Sequence, residues 1–316
     1  MPAADTNNKV MRSAFIPALE KVFREHDECI FITADDGAPE LDTFYQTMPE
    51  RFVQVGIAEQ QMIGMAAGMA KEGMRPYCYA ILTFLSSRVH EFVKLDIAAM
   101  KLPVTLFGVG TGYSYSQMGA THHLPDDIAL INSCAGMEIW SPSDPLTAAA
   151  MAELSYKTLT PKYIRLDREP LPNLADELDS VVETGVRKLT TVYDDVTIIT
   201  TGIMTHQAMK VAQKCSERGL NVGVLDILRI APFPMDEVCR YLADESVPIV
   251  TLEEHFLHGG LGSIVAGILV DQNMNRRLLR IGAPHRYTFE SGGRETIWRN
   301  YNLDVDSITE RVVAIV

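Results

Sequence analysis

Residues 51–70 read RFVQVGIAEQQMIGMAAGMA. Phe52–Val55 forms a short β-like run that meets Gly56. A carboxylate, Glu59, then stands at the mouth of an almost wholly apolar helical stretch carrying Met62, Ile63, Met65, Ala66, Ala67, Met69 and Ala70. Small and apolar side chains fall on nearly every face, so this helix is expected to be buried. A carboxylate in such a place is costly unless it is hydrogen-bonded, paired or kept protonated. A helix N-terminal acid can simply complement the macrodipole, but the apolar continuation marks Glu59 as a candidate for proton chemistry.

Working outward, the same strand-then-helix step recurs. Apolar runs at Cys29–Thr33, Phe52–Val55, Tyr77–Leu82, Val104–Val109, Glu138–Ser141 and Tyr163–Leu166 are separated by helical stretches at Ala58–Lys71, Leu85–Met100 and Pro145–Tyr156. The runs show little polar alternation, as strands buried on both faces do, and the order is that of a parallel sheet covered by helices. The acidic, proline-containing segment DREPLPNLADELDS (residues 167–180) carries neither period and breaks the series. A second alternating series follows: strands at Val196–Thr201, Val222–Asp226 and Pro248–Leu252, with helices at Thr205–Arg218, Met235–Ala243 and Leu261–Asn273. The expected architecture is therefore α/β with two doubly wound domains, residues 1–172 and 191–316, joined by a linker at 173–190.

At 316 residues the chain exceeds the usual size of a single core. With 47% hydrophobic and 22% charged residues it has the composition of a globular protein. A net charge of −13 argues against nucleic acid as a partner. No run approaches the roughly 18 apolar residues of a membrane span. The five scattered cysteines, Cys29, Cys78, Cys134, Cys215 and Cys239, form neither a disulfide framework nor a zinc pattern. The first residues, MPAADTNNKVMRSA, lack the apolar core of a signal peptide. A reducing cytoplasm is the expected location.

Three further motifs carry chemistry. In the segment Tyr79–Arg88, YAILTFLSSR, Phe84 begins a helix directly after a strand, where an aromatic ring serves either as core or as a stacking platform for a flat heterocycle. The segment 108–123, GVGTGYSYSQMGATHH, is long, rich in Gly and Ser, and ends in two adjacent histidines; such loops tend to be functional. His122 and His123 cannot both point the same way in an extended segment, so one is expected to face a site while the other packs. No third ligand stands at a useful spacing for a metal, and an imidazole partner for sugar hydroxyl or carbonyl groups suits the loop better. Arg165, at the end of a strand, is placed to clamp a phosphate or carboxylate, or is a surface residue. The glycines of 259–263, GGLGS, do not form G-x-G-x-x-G, and tight turn and helix packing explain them better than a dinucleotide.

Together, GIAEQ with its Ala/Gly/Met-rich helix, TFL, the Gly-rich loop ending in THH, and SPSDP at 141–145 resemble the pyrimidine-binding domain of the transketolase family. The segments VLDILRIAPFPMDEV (224–238), TLEEHFLHGGLGS (251–263) and RIGAPHRYTFESGGRETIWRNYNLD (280–304) resemble that family's C-terminal domain. The resemblance implies thiamine diphosphate as cofactor. It puts Glu59 in the place of the glutamate that shares a proton with the aminopyrimidine ring, with Ile57 of GIAEQ beside it. Phe84 takes the place of the aromatic residue stacked on that ring, Asp35 that of an acid near the cofactor across a subunit interface, and His122 that of the histidine contacting the donor's hydroxyls. His123 and Arg165 complete the expected substrate contacts, and no metal ligand is expected on this chain.

Full-length transketolases begin with a diphosphate-binding domain whose GDG motif and downstream Asn hold Mg2+ and the diphosphate; this sequence contains no GDG. The resemblance thus implies one subunit of a split enzyme, an α2β2 assembly with a separate diphosphate-binding chain, and a self-dimer through both domains of this one. Two departures bear on the substrate: Met118–Gly119 stands where sugar-phosphate transketolases carry Asp-Gly, and Gly110 falls near their phosphate-binding histidine. The expected reaction is ketol transfer from a ketose to an aldose, with a sugar or sugar phosphate other than the usual donors. The rival readings are the β subunit of a 2-oxo acid dehydrogenase E1 component and a deoxyxylulose-phosphate-synthase-like condensing enzyme.

Overall fold

The computed structural model describes residues 8–34, 37–178, 181–190, 194–242, 244, 246–289 and 292–316. They fall into two compact units. The first comprises residues up to 110 and 130–178; the second comprises 111–129 and the remainder from 179. The segment carrying the adjacent histidines thus groups with the second unit although it leaves a strand of the first.

The first unit is built on six parallel strands: β1 (Cys29–Thr33), β2 (Phe52–Gln54), β3 (Arg75–Ile81), β4 (Thr105–Val109), β5 (Glu138–Trp140) and β6 (Lys162–Leu166). Their order across the sheet is β2-β1-β3-β4-β6-β5. The β1, β4 and β6 side chains are buried throughout, which is why the runs read as continuous apolar stretches. The chain steps from β1 to one neighbour, β2, and then to the other, β3. In open α/β sheets ligands bind beyond the carboxyl ends of strands at such a reversal of order. Two of the motifs leave this part of the sheet: Glu59 after β2 and Phe84 after β3.

Helix α1 (Met11–Glu25) buries Phe15, Ile16, Leu19 and Phe23. Phe15 packs on Phe107 of β4 with ring centroids 4.8 Å apart, and Phe23 on Tyr77 of β3 at 5.4 Å. Helix α2 (Glu59–Lys71) buries Met62, Ile63, Ala66, Ala67 and Ala70, whereas Gln60, Gln61, Gly64 and Gly68 are exposed. Burial on nearly every face, expected from the sequence, is thus corrected to burial on one face. The reason is that two of the small residues are glycines that share the outer face with Gln60 and Gln61, and a Cβ added at Gly64 or Gly68 meets nothing within 4 Å. The stretch Leu85–Met100, expected as one helix, is broken into α3 (Leu82–Ser86), a single turn at His90–Phe92 and a π-helical turn at Val93–Ala98. At the break the Ser86 hydroxyl donates back to the Leu82 carbonyl at 3.0 Å, a bond that competes with the helical ladder, and Val89 leaves helical geometry with φ −117° and ψ 11°.

The second unit carries a five-stranded sheet. Its strands are β7 (Val186–Lys188), β8 (Val196–Thr200), β9 (Val222–Ile227), β10 (Ile249–Phe256) and β11 (Leu278–Ala283), in the order β11-β10-β8-β9-β7. All pairings are parallel except β9 with β7. Residues 181–188, expected within the linker, supply a short helix and the antiparallel edge strand. The buried Glu253 of β10 accepts from the N–H groups of Leu261 and Gly262 at 2.7 and 2.8 Å, at the start of α4 (Leu261–Asp271). The helix N-terminus thus holds an anion that is the chain's own. A Cβ at Gly260 would lie 2.1 Å from the same carboxylate, so close backbone approach accounts for the glycine.

Candidate active site

Glu59 owes its position to the turn before it. Gly56 takes φ +73°, a conformation that favours glycine. The Ala58 N–H bonds to the Gly56 carbonyl at 2.7 Å, and the chain enters α2 with no side-chain cap. Glu59 therefore occupies the first helical turn, where the macrodipole favours a negative charge, yet its side chain is only 3% exposed.

The carboxylate has a specific partner. Arg88 Nη1 donates to both carboxylate oxygens of Glu59, each at 2.7 Å. The guanidinium carbon also lies 3.9 Å from the centroid of the Phe84 ring, so one flat cation both meets the acid and covers the aromatic face. Glu59 and Arg88 border a cleft of 670 Å³, lined also by Ile57, Gln61, Gly64 and Phe92. Ile57 is 77% exposed and forms an apolar lip. Glu59, Ile57 and Phe84, singled out from the sequence, are thus brought into one neighbourhood; Asp35 lies outside the described residues. Arg88 closes the motif that contains Phe84, but no signal in the sequence reveals its role. Its pairing with an acid 29 positions away is a tertiary contact with no local signature.

The histidine loop is closed at its base within the second unit. Gly112 N–H donates to the Leu124 carbonyl at 3.2 Å and Leu124 N–H to the Gly112 carbonyl at 2.8 Å. Glu254, buried on β10, accepts from Tyr113 N–H at 3.1 Å, Arg294 Nε at 2.9 Å and Trp298 Nε1 at 2.5 Å. Gly112 has φ +53°, and a Cβ there would lie 1.9 Å from Glu254 Oε2, so a side chain is excluded on two counts. Within the loop the two histidines diverge. His123 is buried: its Nε2 donates to the Ser116 carbonyl at 3.4 Å, and its ring stands edge-on to Tyr113 at 5.2 Å. Burial lowers its pKa below the usual histidine value. His122 is half-buried and shares a 2.9 Å hydrogen bond between its Nδ1 and Thr121 Oγ1. Arg165, buried on β6, pairs in register with Gly108 and donates to Ser141 Oγ at 3.1 Å.

A buried acid beside an aromatic face, spanned by a planar delocalised cation, is suited to a flat nitrogen heterocycle, which Phe84 would hold by stacking and Glu59 by a shared proton at a ring nitrogen. The guanidinium stands in for such a ring, so the residues present fit the pyrimidine end of thiamine diphosphate.

Comparison with known proteins agrees in both units. Residues 8–173 match the family model for the transketolase pyrimidine-binding domain, and 186–308 match that for the transketolase C-terminal domain. A protein of Phocaeicola vulgatus named as one of the subunits of apulose-4-phosphate transketolase is 32% identical, covering 98% of this chain and 99% of its own length. A 6-deoxy-6-sulfo-D-fructose transketolase subunit of Clostridium sp. is also 32% identical, covering 86% of this chain and 84% of its own. Among solved structures, a split-gene transketolase described as an inactive beta4 tetramer superposes with a TM-score of 0.85 at 26% identity, covering 96% of this chain and 97% of that one.

Proposed function

The chain belongs to the transketolase family, and from that premise we propose that it is the pyrimidine-binding and C-terminal subunit of a split, thiamine diphosphate-dependent transketolase. The enzyme moves a two-carbon ketol unit from a ketose to an aldose. One observation carries the reading: the buried Glu59 and the exposed Ile57 line one cleft, and Arg88 joins Glu59 to the Phe84 ring, on a chain that matches, over nearly its whole length, a relative that is itself a subunit.

Bound thiamine diphosphate supplies an electron sink at the carbonyl carbon of the donor. The chain's own residues do the rest. Glu59 holds a proton against a ring nitrogen, in a position where burial keeps water from competing. Phe84 stacks on the ring and Ile57 shields its edge. His122 orients the donor's hydroxyls from a loop that Glu254 and the packed His123 hold in shape, whereas Arg165, expected as an anion clamp or a surface residue, is buried and already donates to Ser141. A separate subunit of the diphosphate-binding type holds Mg2+ and the diphosphate, in an α2β2 assembly in the cytoplasm that includes a self-dimer of this chain. Met118, 56% exposed in the loop, and Gly110 stand where sugar-phosphate transketolases place donor-recognition groups. A modified sugar or sugar phosphate is therefore the preferred donor class, in line with the relatives named for apulose 4-phosphate and 6-deoxy-6-sulfo-D-fructose.

The test is reconstitution with a diphosphate-binding partner, thiamine diphosphate and Mg2+, followed by assay of ketoses with aldose acceptors against 2-oxo acids with an artificial electron acceptor. Two-carbon transfer from a ketose is expected. Turnover of 2-oxo acids alone, or ketol transfer by this chain without a partner, overturns the reading.

A further inference from the structure

We propose that Arg88 is a built-in occupant of the pyrimidine slot, which the cofactor ring must displace from both Glu59 and Phe84. The inference rests on the split-transketolase reading and concerns a residue for which that reading has no use. Its ground is a double coincidence. Nη1 of Arg88 lies 2.7 Å from each oxygen of Glu59, taking the position that a proton-sharing ring nitrogen needs. The same guanidinium lies 3.9 Å from the centre of the Phe84 ring, taking the face on which the ring would stack. A planar cation and a planar heterocycle cannot both occupy one carboxylate and one aromatic face, so they compete.

The surroundings let Arg88 leave. Its side chain is 40% exposed against 3% for Glu59, so the acid is fixed in the wall and the arginine reaches it from the solvent side. The residue sits where α3 has ended and the next helical turn has not begun, with Val89 outside helical geometry. Its backbone carbonyl is tied to Gln60 Nε2 at 3.3 Å. The main chain is thus held next to α2 while rotations of the side chain alone move the guanidinium into water. In the closed arrangement Arg88 satisfies a buried acid that otherwise stands unpaired; in the open one, the ring replaces it. Affinity for the ring is then reduced by the fraction of molecules in which Arg88 is closed.

This predicts a gain on removal. Thiamine diphosphate is titrated by calorimetry, at saturating Mg2+, into the complex of this chain with its diphosphate-binding partner, comparing the wild type with Arg88→Met. The expected result is tighter binding by the variant, on the order of tenfold for a half-exposed ion pair with a stacking contact; Arg88→Lys, which keeps the charge but loses the plane, falls between. Unchanged or weaker binding by Arg88→Met overturns the proposal. A residue that merely supports the fold would not improve affinity when removed. A second measurement needs no cofactor: in thermal unfolding of this chain alone, Arg88→Met lowers Tm more in the wild-type background than in Glu59→Gln, whose amide keeps only a weaker, uncharged bond to Arg88. Equal effects in both backgrounds also overturn it. Failure of the underlying reading looks different, since the unmodified complex then gives no binding heat at all, and the exchange falls with it. Failure of the exchange alone leaves normal wild-type binding with no gain in the variant.

Discussion

Glu59 is a carboxylate 3% exposed whose two oxygens meet a single guanidinium nitrogen. The proton-sharing role proposed for it rests on the carboxylate oxygens, whereas its burial is offset by Arg88 and the helix N-terminus. Glu59→Gln separates them, because the amide keeps the shape and can still accept from Arg88, but it does not take up the shared proton. Turnover of the reconstituted enzyme is expected to drop by roughly 10²–10⁴-fold, the range typical of a lost acid–base group. Size-exclusion chromatography and Tm should show the assembly intact. Near-normal turnover in this variant removes Glu59 from the central role.

The elements were legible to different depths. Strands β1, β4 and β6 were readable because burial on both faces writes itself as an unbroken apolar run, and the strand–Gly–helix step at Gly56 placed Glu59 at a helix start. The broken helix after Phe84 was not readable, since at its interruption stand a serine back-bond and a long-range bond from Gln60 to the Arg88 carbonyl. The support of the histidine loop was hidden for the same reason: Tyr113 N–H and Glu254 are 141 positions apart. That loop ends in a titratable device no pattern revealed. Burial, reinforced by the neighbouring charge of Asp127, raises the Asp126 pKa from 3.8 to about 6, with His285 opposing. The folded protein then retains a proton that the unfolded chain releases between about pH 4 and 6. Stability from this site is present at the acid end of that window and lost as pH rises through about 6. Urea unfolding from about pH 4 to 7 should show Asp126→Asn gaining on the wild type as pH rises. A difference between the two that stays constant with pH contradicts the assignment.

At the scale of the whole molecule, the proposed split of the cofactor between two chains makes a prediction about charge. A chain of net charge −13 that contains no GDG motif offers a diphosphate little attraction, while the proposed slot of Glu59, Phe84 and Ile57 would engage only an uncharged ring edge and face. On that proposal the two ends of thiamine diphosphate would be recognised by separate half-sites, and joining them in one ligand would convert the second contact into an intramolecular one. This chain alone should bind thiamine, thiamine monophosphate and thiamine diphosphate weakly and with indistinguishable affinities, because only the pyrimidine end is held. Adding the diphosphate-binding partner with Mg2+ should leave thiamine little changed and tighten thiamine diphosphate by about 10²-fold or more, within the range that linked contacts supply. Titrations followed by ligand NMR or calorimetry, with and without partner, resolve the two cases. A clear preference of the isolated chain for the diphosphate would mean that it carries phosphate recognition of its own, and the division of the cofactor between two polypeptides would have to be redrawn.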